Sequence, residues 1–190
     1  MRKLLSLSDL YDFYVSQNQN VKFNSQTSDS AIVVHIEEQP LVFKKSEDDD
    51  LVLKTDLRFC HTDLNVNKTF ISKETMEVAL PTVYNMPILG YIWTDDNGVA
   101  KFAGHEFYED ENGEMVYEEV PIGTVPESSE LKFVEEKNGK TYLEGTGLIW
   151  KTYSKASEIL EREKDLSVSI EIIVDELSYS AEEQSLILEK

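Results

Sequence analysis

The segment at residues 165–174 constrains the fold of this chain more than any other. Its sequence, DLSVSIEIIV, alternates apolar and polar residues, is rich in β-branched side chains, and contains neither Gly nor Pro. This pattern predicts a β-strand with one buried face. Since strand side chains alternate, the buried face carries Leu166, Val168, Ile170, Ile172 and Val174, and the opposite face carries Ser167, Ser169 and Glu171. Two serines and a carboxylate on one face fit either a plain exposed surface or a functional one, and the pattern alone leaves both open.

The net charge narrows the classes of partner. The 190 residues include 37 acidic and 18 basic side chains, which gives a net charge of −19. Such a surface repels nucleic acid and anionic membranes, so we expect neither as a partner. The charge fits equally a highly soluble protein and one that meets a basic partner.

Cysteine usage and hydropathy indicate the compartment. The single cysteine, Cys60, excludes an internal disulfide and fits a reducing environment. No apolar run approaches the ~18 residues of a membrane span. The apolar run near the first residues stops at once in Ser-Leu-Ser-Asp, so no signal peptide is predicted. We therefore expect a cytosolic protein.

Three regions are predicted along the chain. Residues 1–16 are predicted to contain an N-terminal helix, residues 17–30 a flexible linker, and residues 31–190 a β-rich domain. Strands are expected at residues 31–36, 40–43 and 51–60. A short helix is expected at residues 73–80, capped by Ser72 and ended by Pro81. The apolar run at residues 87–93 is typical of a strand that is buried on both faces.

Three Asn-Gly pairs, at residues 97–98, 112–113 and 138–139, lie between strand-like segments. This dipeptide favours type I′ hairpin turns, so an antiparallel meander is predicted for the middle of the chain. A second helix is expected at residues 155–163, capped by Ser154, and a last strand at residues 185–189. The predicted fold class is mainly β (α+β), an antiparallel, closed or nearly closed β-barrel with a few short peripheral helices.

The three histidines differ in what their surroundings indicate. His35 lies on the first predicted strand, where a structural role is favoured. His61 directly follows Cys60, and neighbours on a strand point to opposite faces, so the pair is a poor zinc site. His105 lies in a strand-like segment and fits a structural role and a general base equally. No Gly-rich phosphate loop and no zinc-ligand spacing is found, so neither a cofactor nor a metal is predicted.

An ordered set of segments resembles the capsid-assembly (prohead) serine proteases of tailed phages. The first are residues 59–65 (FCHTDLN), 72–75 (SKET), 80–82 (LPT) and 86–92 (MPILGYI). Residues 102–106 (FAGHE) are similar to the histidine motif of that family, and residues 168–172 (VSIEI) to its serine motif. Between them come residues 121–127 (PIGTVPE), 142–145 (YLEG), 148–150 (LIW) and 156–162 (ASEILER). The resemblance is collinear over about residues 50–176.

The resemblance implies a serine endopeptidase with the fold shared by prohead and herpesvirus maturation proteases. Ser169 would be the nucleophile and His105 its general base, with Ser167 the second choice for the nucleophile. A third group is expected after the serine: Asp175, Glu183, Glu189 or a residue beyond Lys190. Backbone amides near Gly123 and the side chain of Arg162 are hypotheses for the oxyanion donors.

The resemblance also implies partners and a place of action. The expected substrates are scaffold and capsid proteins and the enzyme itself, inside the prohead assembling in the bacterial host cytoplasm, with a homodimer expected. The alternative hypothesis is a non-catalytic scaffolding or capsid-assembly domain of the same fold, which the negative charge and residues 17–30 would suit.

Overall fold

The computed structural model describes residues 50–65, 68–103, 107–111, 115–163, 166–174, 176–180, 182 and 185–189, together with the backbone of five short strands within the first 49 residues. It consists mainly of β-strands with few helices. The strands are β1 Lys3–Leu5, β2 Lys22–Asn24, β3 Ser30–His35, β4 Gln39–Pro40, β5 Val42–Phe43, β6 Val52–His61, β7 Asp63–Leu64, β8 Thr69–Ile71, β9 Pro87–Thr94, β10 Ala100–Ala103, β11 Phe107–Glu109, β12 Met115–Tyr117, β13 Val120–Thr124, β14 Lys132–Glu135, β15 Thr141–Trp150, β16 Ser167–Val168, β17 Glu171–Val174, β18 Glu176–Ser180 and β19 Ser185–Leu188.

Both helices of the described part lie close to their predicted positions. Helix α1, Lys73–Ala79, begins where the Ser72 hydroxyl accepts a hydrogen bond of 3.0 Å from the backbone N–H of Thr75. A 3₁₀ turn, Leu80–Val83, follows it and has Pro81 near its start, as expected of a residue that stops an α-helix. Helix α2 is Ala156–Arg162, and the Ser154 hydroxyl accepts from the backbone N–H of Ala156 at 3.2 Å.

The largest sheet is a curled half-barrel and is open. Its strand order is β10-β9-β13-β15-β6-β5, and β14 also pairs with β15. The prediction of a closed or nearly closed barrel was wrong here, because closure requires the two edge strands to pair with each other. Instead, β10 and β5 lie at opposite edges of the described sheet, and other strands form separate sheets. The mainly antiparallel pairing was predicted correctly.

Two further sheets enclose the core. One has the order β1-β3-β17 and the other β2-β18-β19-β8-β7, with parallel pairing in β1–β3 and in β19–β8. Two small ribbons, β11–β12 and β16–β4, complete the described pairings. One apolar cluster joins β6, β15, β18 and β19 around Leu57, Leu143, Leu177 and Leu186. A second cluster lies around Leu53, Ile122, Ile149 and Leu160.

Strand β9 departs from its sequence pattern. Its apolar run predicted burial on both faces, but Leu89 is 50% exposed and Trp93 43% exposed. Ile88 and Ile92 pack against the second cluster, so only one face of β9 is covered. The prediction was wrong because periodicity reports the character of a strand, whereas the packing partner on each face comes from elsewhere in the chain.

Hairpins with a turn other than the predicted type I′ form at two of the Asn-Gly pairs, at residues 97–98 and 138–139. In the β9–β10 hairpin the backbone N–H of Gly98 donates to Asp95, and in the β14–β15 hairpin Gly139 donates to Glu136. In these two turns the glycines have positive φ, +78° and +83°, but the preceding asparagines do not. A type I′ turn requires positive φ at both central residues, so these turns are of another type. Residues 112–114, between β11 and β12, lie outside the described residues. The predicted meander is interrupted, because in the described sheet β13 pairs with β9 and β15 and not with the strands next to it in sequence, β12 and β14.

Parts of the first 30 residues pair with the domain. Strand β1 pairs with β3, and β2, within the segment predicted as a linker, pairs with β18. The helix predicted near residues 10–15 lies outside the described residues. The three-region division itself stays a prediction.

Candidate functional site

Ser169 lies between two short strands rather than inside one long strand. The predicted strand at residues 165–174 is present as β16 and β17, with Ser169 and Ile170 between them. Val168, Ile170 and Ile172 pack against the first apolar cluster, which confirms the buried face. Ser169 alternates with these residues along the chain and is half-buried, whereas Ser167 is exposed.

The two strands around Ser169 have different partners. Ser167 and Val168 pair with Pro40 and Gln39 of β4. In β17, Glu171 is paired with His35 of β3. Ser169 is therefore held where the chain passes from a two-stranded ribbon to a three-stranded sheet, with regular pairing on both sides. Strand pairing on both sides of a residue fixes the position of its backbone, as a functional residue requires.

His105 lies outside the described residues, between the end of β10 and the start of β11. The residue three positions before it, Phe102, packs against the second apolar cluster. Leu166, three positions before Ser169, packs against the same cluster. The two chain segments that lead to His105 and to Ser169 therefore share one apolar anchor.

A polar contact joins the same two segments. Arg162, the last residue of α2, donates a hydrogen bond from Nη2 to the backbone oxygen of Ala100 at the start of β10. The same guanidinium forms an ion pair with Glu163 at 2.8 Å. Because α2 precedes Ser169 and β10 precedes His105, this contact ties the two segments a second time. These bonds give Arg162 a structural role, and the hypothesis that its side chain is an oxyanion donor stays a prediction.

Gly123 also has a structural explanation. It lies in β13 at a register shift, paired with Ile88 of β9 and Ile149 of β15. A Cβ atom at this position would collide with the backbone oxygen of Leu148. Glycine is therefore required here by the close approach of two strands.

The candidates for the third group are only partly described. Asp175 and Glu183 lie outside the described residues. Glu189 is exposed, and its Oε1 accepts a 2.7 Å hydrogen bond from the Ser178 hydroxyl. Its backbone N–H donates to Glu176 at 3.0 Å, so Glu189 is tied to the β18–β19 pair.

A second polar cluster, not predicted from the sequence, surrounds the buried His61. Nδ1 of His61 lies 2.6 Å from the backbone oxygen of Thr62, and Nε2 lies 3.1 Å from Nζ of Lys140. A carbonyl oxygen only accepts and an ammonium only donates, so Nδ1 is the donor to Thr62 and Nε2 is the acceptor from Lys140. The side chain is thus explained as structural. The signal for this contact is the Asn138-Gly139 turn, which returns the chain beside β6.

Next to His61, Arg58 binds two carboxylates and an aromatic ring. Its Nη2 lies 2.7 Å from both Glu136 and Glu144, and its guanidinium carbon lies 4.1 Å from the centre of the Tyr142 ring. Burial lowers the pKa of Arg58, but these two carboxylates raise it by more. The Cys60 thiol is buried as well, and burial raises its pKa to about 12.

The described ranges contain neither a candidate metal site nor a candidate membrane span. There, no group of three or more His, Cys, Asp or Glu side chains is arranged to hold a metal ion. No helix in that part of the chain is both long and apolar enough to span a bilayer.

The sequence model of one family, the phage-associated YonD N-terminal domain, matches residues 51–190. No curated protein and no solved structure gives a significant match to the chain.

Proposed function

This chain belongs to the YonD N-terminal domain family, and we propose that it is a serine endopeptidase of phage capsid maturation, with Ser169 as nucleophile and His105 as general base. Family membership supports the phage setting and carries no activity by itself. The activity is argued from the ordered segments that resemble prohead proteases, which overlap most of the matched range.

One observation carries the proposal. Phe102 and Leu166, each three residues before a proposed catalytic residue, pack against the same apolar cluster. Three residues of extended chain span about 10 Å. The shared cluster and the contact of Arg162 with Ala100 support the proposal, because both tie together the segments that carry Ser169 and His105.

The proposed chemistry is acyl transfer to serine. His105 takes the proton from the Ser169 hydroxyl as its oxygen attacks the scissile carbonyl, and then gives that proton to the leaving amine. Water, activated by the same histidine, releases the acyl group. Asp175, Glu183 and Glu189 are candidates for a group that orients the imidazole. The substrates would be scaffold and capsid proteins and the chain itself, as a homodimer inside the assembling prohead in the bacterial host cytoplasm.

A fluorophosphonate probe tests the catalytic pair. We expect the intact mass of the wild type to show one adduct, which Ser169→Ala and His105→Ala abolish. Ser167→Ala is the matched control, because Ser167 lies on the same strand segment but is exposed, and this variant should keep the adduct. Ser→Ala changes here should alter stability by less than about 1 kcal/mol, checked by urea unfolding. An adduct retained in Ser169→Ala, or no adduct on the folded wild type, would refute the proposal.

A non-catalytic scaffolding domain is the second candidate function. The net charge of −19 and the exposed apolar face of β9 favour it, because a scaffold acts through surface contacts. The double variant Ser169→Ala, His105→Ala distinguishes the two functions in a capsid-assembly assay. Shells that assemble and mature as with the wild type support the scaffold, and shells that assemble but stay unprocessed support the protease.

A further inference from the structure

The outer face of β9 is an apolar surface without a covering element in the described part of the chain. We define the β9 face by the outward residues of β9 and its two neighbours, which are Leu89, Tyr91, Trp93, Lys101, Ala103 and Pro121, so that it is apolar except for Lys101. The assignment follows from register: Pro121 is opposite Leu89, and Ala103 is opposite Tyr91. Ile88 and Ile92 alternate with these residues and point into the core.

The outward residues of β9 are more apolar than is usual for a strand face in contact with water. A strand with one face in water usually alternates apolar and polar residues. In β9 the outward positions carry a leucine that is 50% exposed and a tryptophan that is 43% exposed, with Pro121, also exposed, beside the leucine. The sequence thus has the pattern of a strand covered on both sides. Contiguous exposed apolar surface of this kind marks an interaction site.

The charges that flank the face indicate what covers it. Asp95 and Asp96 follow the strand in its turn, and Glu118 precedes β13. Lys101 is opposite Trp93, and its Nζ is held by Asp95 at 3.0 Å. A second copy of the chain would bring the same acidic flanks to this face, so repulsion opposes self-association through it. A basic occupant has the complementary charge.

We propose that the β9 face binds a cationic protein segment that presents apolar side chains. The apolar side chains of the segment cover Leu89 and Trp93, and its lysines or arginines lie toward Asp96 and Glu118. This binding is independent of Ser169 and His105, so it holds for a protease, as a substrate-docking surface, and equally for a scaffold. It assigns to the apolar run of β9 a role that the fold alone leaves unexplained.

Trp93 reports occupancy of this face directly. The chain has two tryptophans, so Trp150→Phe leaves Trp93 as the only one. The probes are three short peptides in which lysine alternates with valine, glutamate with valine, or lysine with serine. We expect the lysine–valine peptide to shift the Trp93 emission to the blue and to bind about tenfold more tightly than either of the others. Calorimetry on the wild type repeats the measurement without the Trp150 change.

A pair of exposed apolar residues provides the matched variants. Leu89→Ser should weaken binding of the lysine–valine peptide about tenfold, whereas Ile173→Ser, at a site that is 70% exposed on β17, should leave it unchanged. Equal loss in both variants, or equal binding of all three peptides, would overturn the proposal. Sedimentation gives a further test: a dimer of the wild type that Leu89→Ser dissociates would show that a second copy occupies the face instead.

Discussion

Strands β9 and β15 lie in the same half-barrel, yet the strand with the more apolar sequence, β9, is the more exposed of the two. β9 reads PILGYIWT, and four of its eight residues are exposed. β15 reads TYLEGTGLIW, with threonines, glycines and a glutamate, and all of its residues are buried or half-buried. Apolar content therefore does not determine which strand is enclosed.

The difference lies in what covers each strand. β15 pairs with β6, β13 and β14, and its glycines admit close neighbours: a Cβ at Gly145 would lie 2.5 Å from Leu131 Cδ2. Its Glu144 is neutralised by Arg58 at 2.7 Å. β9 pairs with β10 and β13 and is covered on its inner face only. A strand such as β15 can therefore be buried, because its glycines let other segments approach closely and its one charged residue is in an ion pair.

Thiol reactivity should differ most between the exposed β9 face and the buried region where β15 pairs with β6. Cys60 lies on β6 opposite Leu143 of β15, and burial holds its pKa at about 12. A cysteine introduced on the β9 face by Leu89→Cys would be exposed and close to the ordinary thiol pKa. At pH 8 the introduced thiol should react with iodoacetamide more than about a thousandfold faster than Cys60. Peptide mapping by mass spectrometry measures both rates. Rapid labelling of Cys60 in the native state would contradict the burial of Cys60 between β6 and β15.

Truncating one apolar side chain in each strand should change stability very differently. Ile149→Ala on β15 removes a side chain that is 2% exposed, and should lower the free energy of unfolding by about 2–5 kcal/mol. Leu89→Ala on β9 should change it by no more than about 0.5 kcal/mol. Urea unfolding followed by circular dichroism measures both values. A large loss for Leu89→Ala would mean that the β9 face is covered within the chain.

Adding a methyl group at a glycine tests how closely each strand is approached. Gly145→Ala on β15 would press on Leu131 and on the Ser129 hydroxyl, 2.8 Å from the added atom, and should cost about 1–3 kcal/mol. The nearest atoms to a Cβ at Gly90 on β9 are side-chain atoms of Ile122 and Phe102 at 3.0 Å, farther than those at Gly145, so Gly90→Ala should cost less. Thermal unfolding of the two variants gives the comparison. Equal losses would refute the argument that β15 is covered more tightly.

Replacing a buried hydroxyl where β6 pairs with β15 should increase the stability of the protein slightly. The Oγ1 atom of Thr55 is buried without a hydrogen-bond partner, on β6 opposite Gly147 of β15. Thr55→Val keeps the side-chain shape and removes the unsatisfied group, so we expect a gain of about 1 kcal/mol. Chemical unfolding measures it, with Thr94→Val on the exposed end of β9 as the control that should change little. A loss of stability would show that the hydroxyl has a partner in solution.

Features set by neighbouring residues were predictable from the sequence. The Ser72 cap, the stop at Pro81 and the buried side of the Ser169 segment each depend on a few adjacent positions, and the structure has all three. The break at Ser169 was missed because it arises from two different pairing partners, β4 and β3, distant in the chain.

Features set by distant segments were not predictable. The open edges of the half-barrel and the exposed face of β9 depend on which strands pair, and a single sequence does not record this. The same holds for the contact between His61 and Lys140, because the Asn138-Gly139 turn predicts the β14–β15 hairpin but not the pairing of β15 with β6 that brings the two residues together. For the candidate site, local pattern supplied Ser169 and its strand, while the shared anchor of Phe102 and Leu166 required the packed structure.

The parallel pairing of β19 with β8 has a consequence for how the protein is made. Leu186 lies beside Thr69, so the five-stranded sheet joins two segments that are synthesised far apart in time. Pairing between residues so distant in sequence slows folding, because the intervening chain must be ordered first. During translation, β8 and α1 leave the ribosome well before β19 exists. The sheet is therefore completed only after β19 has been made, and until then the edge of β8 is open to chaperones or to neighbouring nascent chains.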